Sequence, residues 1–80
     1  MIMTKKQGVI IYGENWCKFC KASKKHLQQH KIKYKFIQGK SGREIQQLLK
    51  SKKKVLTIPQ IVIDGKHIGG YSDLKKFKFL

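Results

Sequence analysis

Eighty residues are enough for one small domain, residues 1–80, which can bury only about 60% of the surface its unfolded chain exposes. A 40% hydrophobic fraction spread along the chain with one proline argues for a compact fold and against disorder. The net charge of +15 sets 19 basic residues against Glu14, Glu44, Asp64 and Asp73 and attracts anionic partners. Specific nucleic-acid recognition is disfavoured, because Arg43 is the single arginine and no aromatic interrupts "KSKKK".

From the N-terminus, "GVIIY" is a short continuous apolar run of the kind a strand buried on both faces shows, and Gly13 ends it. The run is too short for a signal-peptide core or a membrane span, so a cytosolic location and no membrane partner are expected. A helix is predicted from the cysteines to about His30, with Phe19, Cys20, Ser23 and Leu27 near one face. "IKYKFI" alternates, with Ile32, Tyr34 and Phe36 opposite lysines, and reads as a half-exposed strand. Ser41 and Glu44 have the spacing of a capping box that opens a helix with an Ile45, Leu48 and Leu49 stripe. The lysines of "KSKKK" suit its C-terminal end. "QIVI" and "KHI" flank Asp64-Gly65, a pair favoured where both central turn residues need positive φ, so a tight hairpin follows. A short last helix is expected from Leu74, Phe77 and Leu80, capped by Ser72 or Asp73. The order β-α-β-α-β-β-α predicts a mixed four-stranded sheet with helices on its faces.

Both cysteines lie in "ENWCKFCKASK". In the cytosol a disulfide is usually transient and chemical, which disfavours a structural staple. A zinc site needs four ligands, whereas one Cys-x-x-Cys supplies two, and His26 and His30 read as surface histidines. A helix that starts at Cys17 places its sulfur beside unpaired backbone N–H groups, with Lys18 and Lys21 close by, so its thiolate is favoured. Cys17 is then the nucleophile. Cys20, one turn later and facing inward, stays protonated until it resolves the mixed disulfide.

"WCKFC" after "VIIY", followed by "TIPQIVIDGKHIGGYSDL", resembles a dithiol glutaredoxin of the thioredoxin superfamily from Val9 to about Phe77. The resemblance implies a thioredoxin-like α/β fold with three helices and a glutathione-dependent thiol–disulfide oxidoreductase. It implies Cys17 as attacking and Cys20 as resolving thiol, a cis Ile58–Pro59 bond, and no tightly bound cofactor. It implies that glutathione, as co-substrate, meets Lys18, Phe19, Thr57, Ile58 and Pro59, with its γ-glutamyl end at Gly70, Tyr71, Ser72 and Asp73. The protein is expected to be a monomer serving protein disulfides, ribonucleotide reductase among the clients the family suggests. Two rival readings are a glutaredoxin-like redoxin reduced by thioredoxin reductase and an iron-sulfur cluster carrier ligated by Cys17 and glutathione.

The chain also departs from the family pattern. Lys18 and Phe19 stand where proline and tyrosine are commonest. Glu14 stands where a Lys or Arg usually meets the glycine carboxylate of glutathione, so Lys18, Lys40 or Arg43 is expected to take that contact.

Overall fold

The computed structural model describes residues 8–50 and 57–77. Its elements are β1 (Val9–Gly13), α1 (Lys18–Gln29), β2 (Tyr34–Gln38), α2 (Gly42–Leu49), β3 (Gln60–Ile63), β4 (Lys66–Gly69) and α3 (Tyr71–Lys76). They form one four-stranded sheet in the order β2-β1-β3-β4. β1 runs parallel to β2 and antiparallel to β3, and β3 pairs antiparallel with β4 across an irregularity between Ile61 and Val62.

The continuous apolar pattern of β1 and β3 has a simple cause: both are central strands and both faces of the sheet are covered. On one face Val9, Ile11, Ile61 and Ile63 pack with Leu27 of α1 and Leu74 of α3. On the other, Tyr12 and Val62 pack with Ile45 of α2. Fully burying a side chain such as Ile11 or Leu27 contributes about 1.5–3 kcal/mol each. Edge strand β2 keeps its predicted alternation, with Tyr34 and Phe36 half-buried and Lys35 exposed.

The turns follow their residue chemistry. Asp64 and Gly65 have φ of 52° and 78°, as the hairpin pair requires. Ser41 and Glu44 close both bonds of the capping box on α2, and Lys50 ends that helix in the left-handed region. Three sequence expectations need correction. Leu48 is 52% exposed, because Ile45 and Leu49, four residues apart, take the sheet-facing ridge of the short helix. Phe19 is 55% exposed, since the inward stripe of α1 is Cys20, Ser23 and Leu27 and Phe19 lies beside it. The N-cap of α3 is Gly70, not Ser72 or Asp73; Asp73 sits three residues in and its carboxylate accepts the Gly70 N–H. The lysines at 52–54 and Leu80 lie outside the described residues.

Candidate active site

β1 ends at Gly13, and the loop 14–17 turns the chain into α1. Cys17 is the N-cap, and its sulfur takes the role an Asp or Ser oxygen usually plays by accepting the Cys20 N–H at 3.2 Å. The same sulfur lies 3.8 Å from the Ile58 carbonyl oxygen, to which the thiol donates. The Cys17 residue is 7% exposed and Cys20 is fully buried, and both thiols are free. Burial first, then the hydrogen bond with Cys17, pushes the Cys20 thiol up to about 12. The arrangement gives a capped outer sulfur at a helix start and a protonated inner sulfur behind it.

Two segments close around this pair. Thr57, Ile58 and Pro59 are exposed, half-buried and buried respectively, and the Ile58–Pro59 peptide is cis. Phe19 stacks on Tyr71, ring centroids 5.8 Å apart, which joins the first turn of α1 to the first residue of α3. Gly70 packs against the same loop, since a Cβ there would lie 3.5 Å from the Pro59 carbonyl oxygen. Lys18 is exposed at the start of α1. Ser72 and Asp73 are exposed, with the Asp73 carboxylate turned back onto the Gly70 N–H at 3.1 Å.

Three residues contribute in ways not apparent in the sequence. Gly13 is one: a Cβ on it would fall on the Cys20 sulfur, so its bare backbone makes room for the inner thiol. Gln60 is another, a buried amide in an apolar strand. Its Nε2 donates to the Thr57 carbonyl at 2.9 Å and its Oε1 lies 2.6 Å from His67 Nε2, which braces the loop facing Cys17. A polar residue opening "QIVI" was the only signal.

Glu14 is the third, and its role differs from the one expected. Its carboxylate accepts the Gly39 N–H at 2.9 Å and its carbonyl accepts the Cys17 N–H at 3.2 Å. Glu14 therefore ties the Cys17 loop to the turn after β2. Glu14→Ala is expected to cost at most about 1 kcal/mol, because the bond is exposed to solvent, and to lower the thermal midpoint by at most roughly 4–8 °C. Glu14→Gln, which keeps an acceptor oxygen, should recover most of it. Calorimetry of the two variants is the check, and equal midpoints for Glu14→Ala and the parent would show that the brace contributes nothing.

The two histidines of α1 stack with centroids 4.4 Å apart. His26 is half-buried, not a free surface residue as expected; burial, then His30 and Lys75, disfavours its charged form. Among the described residues no group of three or more His, Cys, Asp or Glu is placed to hold a metal ion, and no helix is long and apolar enough to cross a membrane.

The glutaredoxin family model matches residues 9–68. Glutaredoxin-2 of Schizosaccharomyces pombe is 36% identical over 73 residues, covering 88% of this chain and 66% of the relative. The glutaredoxin of Pseudomonas aeruginosa is 35% identical over 66 residues, covering 82% and 79%. The chain thus spans about two thirds of the length of the S. pombe relative. Among solved structures, glutaredoxin 1 from Francisella tularensis, complexed with cacodylate, superposes with a TM-score of 0.71 at 26% identity, covering 88% of this chain and 90% of that one. Oxidised Escherichia coli glutaredoxin gives 0.69 at 28% identity, covering 86% and 89%. With a family model over most of its length and solved glutaredoxins superposing on its fold, the chain belongs to the glutaredoxin family of the thioredoxin superfamily.

Proposed function

We propose that this protein is a glutathione-dependent thiol–disulfide oxidoreductase that reduces protein disulfides and glutathionylated thiols through Cys17 and Cys20. The observation that carries the reading is the Cys17 sulfur at the N-cap of α1, receiving an N–H and backed by a buried, protonated Cys20. As a thiolate, Cys17 attacks one sulfur of a substrate disulfide, and the other leaves as a thiolate that takes up a proton from water. Cys20 then loses its proton and attacks the Cys17 sulfur, forming the Cys17–Cys20 disulfide and releasing the second substrate thiol. One glutathione thiolate reopens that disulfide at Cys17, and a second attacks the glutathione sulfur, releasing oxidised glutathione and the dithiol. Two electrons pass from two glutathiones to one disulfide.

Glutathione fits as a short added strand against the Ile58 backbone, with its γ-glutamyl end toward Gly70, Ser72 and Asp73. The Phe19–Tyr71 stack and the approach of Gly70 to Pro59 support this, because they bring the sequence-distant segments to one rim. We further read residues 1–80 as one domain that works in the cytosol as a monomer.

A coupled assay tests the reading. Turnover of a glutathionylated reporter with glutathione and glutathione reductase should exceed turnover with thioredoxin reductase at least tenfold. The reverse order would transfer the protein to the redoxins fed by thioredoxin reductase.

A further inference from the structure

Each of the four carboxylate side chains of the chain is held by a backbone N–H. Glu14 accepts from Gly39 at 2.9 Å, Glu44 from Ser41 at 2.8 Å, Asp64 from Gly8 at 2.8 Å and Asp73 from Gly70 at 3.1 Å. These bonds close turns and helix starts; none of them goes to a lysine. The acidic residues thus serve the fold, while 19 cations have only four anions in the whole chain to offset them. Each carboxylate thus spends an acceptor on the backbone, and Glu44 also has Lys40 close enough to favour its charged form.

The uncompensated charge includes the rim of the thiol. Trp16 is 75% exposed and Phe19 is 55% exposed on either side of Cys17. Lys75 Nζ lies 5.0 Å from the centroid of Tyr71, the ring on which Phe19 stacks. Lys24 Nζ lies 4.1 Å over Phe36 and donates to Asn15 in the loop before Cys17. Aromatic faces hold these two cations. Lys18 and Lys21 are exposed on the first turn of α1. Exposed aromatics ringed by cations suit a partner with an apolar centre and an acidic margin.

We propose that this face docks an acidic protein segment in which Asp and Glu flank the oxidised cysteine, with Trp16 and Phe19 covering the segment's apolar residues. This deepens the oxidoreductase reading by naming the substrate class of the same thiol. The chemistry is unchanged: Cys17 attacks the segment's disulfide and the segment's other sulfur leaves as a thiolate. Nucleic acid is the less favoured occupant, because Lys18, Lys21, Lys24 and Lys75 are all lysines and the chain has a single arginine.

The test is a single-turnover measurement with the pre-reduced protein, which needs no glutathione. Two disulfide peptides differ only in flanks, four Asp or Glu against four Lys, and a neutral small disulfide serves as reference. The acidic peptide should react about tenfold or more faster than the basic one at low salt, and the gap should close to within about threefold at 0.5 M salt. Lys75→Glu, which leaves the cations beside Cys17 in place, should narrow the preference at least about threefold and leave the rate with the neutral disulfide unchanged. Equal peptide rates beside a normal neutral-disulfide rate would overturn the docking proposal and leave the oxidoreductase reading intact. Failure with all three would overturn both. Stronger inhibition by a single-stranded oligonucleotide than by polyglutamate of equal charge, at about 0.15 M salt, would assign the face to nucleic acid instead.

Discussion

Cys17→Ser is expected to abolish reduction of every disulfide substrate while leaving the thermal midpoint within a few degrees of the parent. The two halves of that result have different causes. Serine is among the best N-cap residues, so its oxygen can accept the Cys20 N–H that the sulfur accepts now, and α1 keeps its start. The hydroxyl, however, is not a thiolate and cannot attack sulfur at neutral pH. Cys20→Ser should behave differently. It should keep turnover of small glutathionylated thiols, where a second glutathione releases Cys17 without help, and lose most reduction of protein disulfides. Paired assays of the two variants on a glutathionylated peptide and a protein disulfide decide the matter; equal losses on the glutathionylated peptide would refute the division of labour.

In the proposed mechanism the state of Cys20 keeps the inner thiol from reacting first. Burial raises it most, and the hydrogen bond and charge of Cys17 add to that, while the Glu14 backbone and Lys24 oppose. Once Cys17 is joined to substrate its sulfur carries no charge, so the coulombic cause vanishes and the sulfur becomes a weaker acceptor for the Cys20 S–H. Deprotonation of Cys20 becomes easier at the step that needs it. Because burial persists, release of protein substrate in a single turnover without glutathione should still accelerate with pH across the neutral range.

Much of this site was legible in the chain because local chemistry sets it. Cys-x-x-Cys at a strand-to-helix step, Asp64-Gly65 and the Ser41–Glu44 box each need only a few neighbouring residues to define their geometry, and all three have the expected form. The errors share a different cause. Phe19 and Leu48 belong to apolar stripes by helical spacing, yet which flank of a stripe meets the sheet depends on how the helix docks. Asp73 has the chemistry of an N-cap and also of a first-turn carboxylate that reaches back to the cap's N–H; backbone placement at Gly70 selects the second. Glu14 looked like a misplaced charge in a glutathione groove only because its partner, the Gly39 N–H, is 25 residues away. A hydrogen bond to backbone leaves no mark on the partner's residue type.

Gly13 is the same problem in its sharpest form, since its role is to be empty. The sequence marks it as the end of a strand, but the structure uses it to seat the Cys20 sulfur against β1, with Phe36 closing the far side 3.4 Å from where a Cβ would stand. Neither Cys20, fully buried in the first turn of α1, nor β1, hydrogen-bonded on both sides, can retreat freely. Gly13→Ala is therefore expected to destabilise the protein by about 1–3 kcal/mol through overpacking. It should also swing the inner thiol away from Cys17, lowering protein-disulfide reduction tenfold or more and sparing the monothiol reaction. Adding Cys20→Ala removes the clashing atom, so the double variant should regain most of the lost stability and no dithiol activity. Denaturant unfolding of the two single variants and the double variant measures the coupling, expected at about 1–3 kcal/mol for groups in direct contact. Additive stabilities, or full dithiol activity in Gly13→Ala, would mean that the Cys20 sulfur has another place to go and that the glycine is a strand end and nothing more.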